Sequence, residues 1–257
     1  MQRQPGKKDL VVVQEFAWLI VIEGYEWNAA IPPDGKPGIA LQAEYLTADR
    51  KELRRTGFPE ADFYEGPVHP ALFVDFANTP WSRDGIEYFA YTNGLLGISD
   101  VWAESQADWR HQIQRMKQAI DLVRSGVATA KDRAAEIANE ELDAHTDFRL
   151  VRDRKTKLLR PRCIPQNLLG AMWLQFAMTV DTDARFRNCR VCWKTMLLAP
   201  WIPGGRSNQS MYCDKRCNQK AKRMRAKGHK MLINGASRRT VAEELGVKPS
   251  WLREQGL

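Results

Sequence analysis

Cys189-Arg-Val-Cys192, followed after 20 residues by Cys213-Asp-Lys-Arg-Cys217, is the segment around which the C-terminal part of the chain is expected to fold. Two close thiol pairs separated by a loop of this length can converge on one tetrahedral Zn²⁺. The chain has five cysteines, four of them within 29 positions, and Cys163 stands apart as a structural thiol. The spacing predicts that these four bind one structural zinc ion. The alternative, four free thiols, leaves their clustering unexplained.

Positive charge is concentrated around these cysteines. Residues 185–230 contain 13 Lys and Arg against one acid, Asp214, a net charge of +12. The whole chain carries +8, so the other 211 residues sum to −4. A metal-bound module that holds the entire positive excess indicates a polyanionic partner, most simply nucleic acid.

A helix that begins near Asp214 is predicted to carry most of this charge, with Ala221 and Met224 on its packed side. An ordinary surface helix mixes charges of both signs, so the one-sided charge favours phosphate binding over a solvated face. The candidate phosphate contacts are Lys215, Arg216, Lys220, Lys222, Arg223, Arg225 and Lys227.

The C-terminal segment has the pattern of a helix-turn-helix. Ser237 can cap a short helix, Gly246 permits a tight left-handed turn, and Pro249 suits the first turn of a second helix, which ends near Gln255. This second helix would read bases. Its candidate contacts are Lys248, Ser250, Trp251 and Arg253. The alternative is a simple αα-corner that caps the domain.

The N-terminal part has helical signals and a few strand signals. Helix starts are predicted at Ser82, at Ser105 and at Thr129, and an all-apolar helix is predicted over Asn167–Val180. Residues 148–163 alternate as a β-hairpin that turns near Lys155-Thr156, residues 40–55 suggest a helix, and residues 57–70 suggest a loop. The predicted class is mainly α with small β elements (α+β). Its predicted domains are residues 1–183, a zinc finger over 184–228 and a helix-turn-helix over 229–257.

Composition restricts the class of protein. No apolar stretch reaches the length of a membrane span, and an odd, clustered set of cysteines favours a reducing compartment, so we expect a cytoplasmic protein without a membrane partner. The sequence shows no phosphate-binding glycine loop, no nucleophile elbow and no zinc-activating His pair. We therefore predict no catalytic residues and no enzyme, unless Asp75 and Asn78 line a pocket.

Parts of residues 70–227 resemble bacterial CGNR-type zinc-finger proteins with an ABATE-like N-terminal region. The resemblance rests on Leu72-Phe-Val-Asp-Phe-Ala-Asn-Thr-Pro80, on Asn167-Leu-Leu-Gly-Ala-Met-Trp173 and on the finger from Cys189 to Arg225. The family's Cys-Gly-Asn-Arg reads Cys217-Asn-Gln-Lys220 here. The resemblance implies a helical sensor-like region joined to a zinc-dependent DNA-binding module, and a stress-linked transcription regulator.

These observations predict a zinc-dependent protein that binds double-stranded DNA and regulates transcription. Two alternatives stay open: an RNA-binding or translation-linked zinc module, and a zinc-stabilised scaffold for protein interactions. An effector of the N-terminal domain and a homodimer are also left open, since the sequence identifies neither.

Overall fold

The protein is described here from a computed structural model. Its described residues are 18–21, 25–29, 44–48, 61–64, 71–98, 103–152, 157–182, 184–200, 202 and 205–257. The chain divides into two compact units: the first holds Met1–Ala184 with Ile202–Gly204, the second Arg185–Trp201 with Gly205–Leu257. Helices dominate and the sheets are small, which confirms the predicted class. Within the described ranges, no helix has both the length and the apolar character needed to cross a bilayer.

Short strands form four antiparallel sheets in the described residues: β1 with β4, β2 with β3 and β5, β6 with β7, and β8 with β9. Their bounds are β1 Trp18–Val21, β2 Tyr25–Ala29, β3 Glu44–Ala48, β4 Ala61–Tyr64, β5 Ala103–Ser105, β6 Thr146–Arg152, β7 Leu159–Pro165, β8 Arg185–Asn188 and β9 Thr195–Leu198. The predicted helix over residues 40–55 is wrong, because β3 pairs there with both β2 and β5. The predicted loop over 57–70 contains β4.

The helices of the described residues are α1 Leu72–Ala77, α2 Arg83–Asn93, α3 Gln106–Ser125, α4 Ala128–His145, α5 Leu168–Val180, α6 Lys215–Ile233, α7 Arg238–Leu245 and α8 Pro249–Glu254. The predicted caps are confirmed for α2 and α3, where Ser82 accepts from the Gly85 N–H and Ser105 from the Asp108 N–H. The predicted start of α4 at Thr129 is late by two residues, since Val127 is its N-cap.

Aromatic side chains fill the core of the first unit. Trp109 of α3 contacts Phe76 and Phe89, with ring centroids 6.1 and 6.0 Å apart, and Trp173 of α5 lies 5.6 Å from Phe176. These edge-on contacts add to the hydrophobic burial. The predicted burial of α5 is confirmed by a set of residues at most 2% exposed: Leu168, Leu169, Met172, Trp173 and Phe176.

A buried carboxylate holds the loop after α2. The Oε2 atom of Glu104 accepts from the backbone N–H of Leu96 at 3.0 Å, and its Oε1 atom accepts from those of Gly97 and Ile98 at 2.5 and 3.2 Å. Burial raises the pKa of Glu104, although the three N–H groups favour the charged form. Glu104 therefore satisfies backbone donors that would otherwise be stranded beside the core.

Replacing Glu104 by alanine should lower the free energy of unfolding by about 2 kcal/mol, because three backbone donors lose their acceptor. Urea unfolding followed by circular dichroism measures the change. Glu104→Gln keeps an acceptor oxygen and should lose less. An alanine variant as stable as the wild type would contradict this role.

The β6–β7 hairpin pairs seven residues from each strand, from Thr146 opposite Pro165 to Arg152 opposite Leu159. The predicted hairpin over residues 148–163 is therefore confirmed. The turn expected near Lys155-Thr156 lies outside the described residues. The hairpin leads into α5, which passes close to the end of α4: a Cβ added at Gly170 would lie 2.1 Å from the His145 carbonyl oxygen. Only glycine fits this contact.

Three helices share one core in the second unit. The buried members of this core are Ala221, Val241, Ala242, Trp251, Leu252 and Leu257. Helix α6 packs tightly there, since a Cβ at Gly228 would lie 3.0 Å from Leu257 Cδ1 and 3.2 Å from Leu245 Cδ1. As predicted, Ala221 and Met224 lie on the packed side. Because α6 runs to Ile233, the domain division expected between residues 228 and 229 falls inside this helix.

Candidate metal centre and basic interface

The four clustered cysteines meet at one point in the second unit. The Sγ atoms of Cys189, Cys192, Cys213 and Cys217 all lie within 4.8 Å of one another. Cys213 Sγ is 3.4 Å from Cys192 Sγ and 3.5 Å from Cys217 Sγ, too far for a disulfide bond. A tetrahedral ion with metal–sulfur bonds of about 2.3 Å places its sulfurs about 3.8 Å apart. The cluster can therefore hold one metal ion with a complete thiolate shell.

Backbone hydrogen bonds form the turn that carries the first thiol pair. At the end of the β8–β9 hairpin, the Cys189 N–H donates to the Lys194 carbonyl at 2.8 Å and the Trp193 N–H to the Cys189 carbonyl at 3.0 Å. The Arg190 N–H donates at 3.1 Å to the carbonyl of Met211, two residues before the second pair. This last bond brings the two halves of the cluster together.

The second thiol pair is held by the start of α6. Asp214 is the N-cap, and its Oδ1 accepts from the Cys217 N–H at 2.6 Å. That bond holds the pKa of Asp214 below its usual value. Cys213 precedes the cap and Cys217 lies in the first turn, so the spacing of four places both sulfurs on one side of the helix start.

The pKa values of Cys189, Cys213 and Cys217 are shifted in different directions. Burial raises the pKa of the Cys189 thiol, but the backbone N–H groups of Cys192, Val191 and Cys213 outweigh burial and lower it to about 7. Burial raises the pKa of Cys217 to about 12, with Cys192 and Cys189 adding to the rise and Cys213 opposing it. Burial also raises the pKa of Cys213, and there the three neighbouring thiols all add to the effect. One thiolate thus opposes ionisation of the next. A divalent cation at the centre removes this opposition, because its charge stabilises every thiolate.

A long cationic helix leaves the cluster. All the predicted phosphate contacts on α6 have exposed side chains, and Lys230 joins them: Lys215, Arg216, Lys220, Lys222, Arg223, Arg225, Lys227 and Lys230. At 19 residues, α6 is about 28 Å long. The prediction that an exposed basic helix follows the second thiol pair is therefore confirmed.

Two of these cations already have partners. Lys227 Nζ lies 2.8 Å from Glu244 Oε1, and Arg225 donates to the Gln255 side-chain oxygen at 2.5 Å. Elsewhere on α6 the cations form no ion pair with any described residue: Lys215, Arg216, Lys220, Lys222, Arg223 and Lys230. The helix therefore offers six uncompensated positive charges.

The turn between α7 and α8 follows the sequence pattern. Ser237 caps α7 by accepting from the Thr240 N–H, Gly246 is left-handed with φ 62°, and Pro249 begins α8. Of the predicted contacts, Lys248, Ser250 and Arg253 are exposed. The prediction that Trp251 is exposed is wrong: it is 5% exposed and lies in the three-helix core.

Sequence reasoning missed Trp193. It directly follows Cys192, is 58% exposed, and has a left-handed backbone with φ 64°. The Lys248 ammonium lies 5.3 Å from its ring centroid, within the range of a cation–π contact. The available signal was an aromatic residue next to a predicted ligand, surrounded by basic residues.

The second unit thus combines a cluster of four thiols, a cationic helix and an exposed tryptophan. Comparisons with known protein families, curated proteins and solved structures find no match for the chain.

Proposed function

We propose that the protein binds double-stranded DNA through a zinc-stabilised basic module and regulates transcription. The observation that carries the proposal is the exposed face of α6, which starts at the metal-binding cluster and presents six cations without ion-pair partners in the described chain. Such a one-sided charge has a natural complement in a phosphate backbone. Regulation of transcription in particular is supported by the sequence resemblance to CGNR-type proteins.

Zinc is the metal that we propose for the cluster. Four thiolates suit a borderline-soft ion with tetrahedral preference, and the sulfur separations fit its bond length. A shell of four protein ligands leaves no position for a catalytic water, so the ion would be structural. It would fix the start of α6 relative to the β8–β9 hairpin.

The exposed cations would position the protein on the DNA without reading its sequence, because phosphates are the same at every base pair. Base contacts are proposed for Lys248, Ser250 and Arg253, at the start and the end of α8. Helix α8 has six residues, and two of them, Trp251 and Leu252, are committed to the core. Sequence reading by this helix would therefore rest on few side chains.

A mobility-shift series on genomic fragments tests the proposal. The protein should shift duplex DNA, lose the shift with a zinc chelator and regain it when zinc is restored. Structured RNA of equal length serves as competitor, and RNA that displaces the DNA at lower concentration would favour the RNA-binding alternative. A protein that shifts neither nucleic acid would instead be a protein-interaction scaffold.

Binding should weaken steeply with salt. Each neutralised phosphate contributes about 0.9 to the slope of log affinity against log salt concentration, so several contacts on α6 should give a slope steeper than about −3. Fluorescence anisotropy of a labelled duplex at a series of KCl concentrations measures it. A flat response would remove the electrostatic basis of the proposal.

A further inference from the structure

A groove in the second unit lies between the first cysteine turn and the α7–α8 turn. It consists of two adjoining hollows of about 600 and 270 Å³, and both are lined by Arg190, Trp193, Lys248 and Trp251. The larger hollow also reaches Lys220 of α6. The groove is therefore next to the proposed phosphate-binding helix, and its size falls in the range of small-ligand sites.

The Trp193 indole is displayed at this groove by the backbone. Its left-handed conformation is rare for a bulky residue, and the bonds of the cysteine turn maintain it. A large aromatic side chain that is 58% exposed gains little for folding. The Lys248 ammonium lies over the ring, 5.3 Å from its centroid, and the part of the ring that it leaves open is a flat apolar surface on which another planar group can stack.

The rest of the lining suits an anionic planar ligand. Arg190, Lys220 and Lys248 line the groove as cations; Arg190 is paired with Glu254 at 3.2 Å, and Lys220 and Lys248 have no acidic partner in the described chain. The carboxylate of Glu243 also lines the groove and is paired with Arg239 at 3.1 Å. Trp251 also lines the groove, but its Nε1 atom is buried and is not exposed to a ligand there.

We propose that this groove binds one unpaired nucleotide, with its base stacked on Trp193 and its phosphates facing Lys220 and Lys248. A base inside a duplex is covered on both faces by its stacked neighbours, so stacking on Trp193 requires a base that lies outside the continuous stack. The inference rests on the proposed nucleic-acid binding and extends it to a preference for duplexes with a single-stranded segment. A free nucleotide has the same chemistry and is the other source of the ligand.

Two DNA probes with equal numbers of phosphates test the inference on the full chain: a blunt duplex and a duplex with a 3′ overhang. Anisotropy at fixed salt gives both affinities. Trp193→Leu keeps the apolar bulk without the aromatic face, and it should lower affinity for the overhang probe about 10-fold, since stacking contributes about 1–3 kcal/mol per base. Affinity for the blunt duplex should stay the same. Trp193→Phe should restore most of the overhang affinity.

Matched controls separate the outcomes. Trp81→Leu removes an exposed tryptophan of the first unit (48% exposed) and should change neither affinity, and metal content should be equal in all variants. If Trp193→Leu binds both probes with wild-type affinity, or if its affinity for both falls equally, the stacking inference is overturned. The proposed DNA binding would be unaffected by either result. Wild-type protein that binds neither probe would overturn the proposed function as well. If adenosine monophosphate binds as tightly as the overhang probe, the groove is a site for free nucleotides, and the proposed binding of a single-stranded DNA segment is overturned.

Discussion

Replacing Cys213 by serine is expected to release the metal ion, unfold the thiol-bearing part of the second unit and abolish nucleic-acid binding. Cys213 Sγ lies within 3.5 Å of two other sulfurs of the cluster, so its replacement removes a central ligand from the four-thiol set. Binding of a structural zinc ion contributes about 10–16 kcal/mol in small zinc modules, as much as the whole stability of a typical domain. Elemental analysis for metal, thermal unfolding and a mobility shift measure the three losses.

Cys163→Ser is the matched control, since Cys163 is a free thiol on β7 in the first unit. It should keep one metal ion per chain and the wild-type affinity. Retained metal stoichiometry in Cys213→Ser would show that the cluster does not bind through all four thiols. Equal metal loss in both variants would point to nonspecific oxidation.

The second large effect is expected from the outer face of α6. Replacing Lys222, Arg223 and Lys230 by glutamine should lower DNA affinity on the order of 100-fold at physiological salt and reduce the magnitude of the salt slope by about 2.7, which is about 0.9 for each lost phosphate contact. These side chains are exposed and form no ion pair with a described residue, so the fold should be unaffected. Anisotropy titrations at several salt concentrations give both quantities.

A variant of equal charge excludes a general effect of net charge. Lys117, Lys131 and Lys157 of the first unit are exposed and likewise have no ion-pair partner in the described ranges. Changing all three to glutamine lowers the net charge by the same amount and should leave affinity within about twofold. If both triple variants weaken binding equally, the α6 face is not the interface.

Local signals accounted for the parts of the fold that the sequence predicted well. A capping serine needs only its own helix, so Ser82, Ser105 and Ser237 marked starts that the structure confirms. The cysteine spacing worked for the same reason, because a short turn and a helix start bring each pair together. Gly246 marked its turn through the left-handed conformation that it adopts.

Long-range pairing and burial explain the failures. β3 is a strand because β5, which follows some 55 residues later in the chain, pairs with one of its edges. The residues around 40–55 alone carry no signal of this long-range pairing. Trp251 was predicted to contact bases, but it is buried because the packing of Val241 and Leu252 in the core determines which side of α8 faces inward. Trp193 was overlooked because exposure is a property of the folded turn.

Helix α6 has one end in the thiol cluster and the other in the three-helix core, with Cys217 and Gly228 on the same continuous helix. The thiol cluster and the three-helix core, which are formed by separate segments of the sequence, thus share helix α6. Any transplant of this cationic unit to another protein must carry the whole stretch from Arg185 to Leu257, because a start at the first thiol would remove β8 and a cut after residue 228 would break α6 and remove the core partners of Ala221. Evolution by exchange of its parts faces the same restriction.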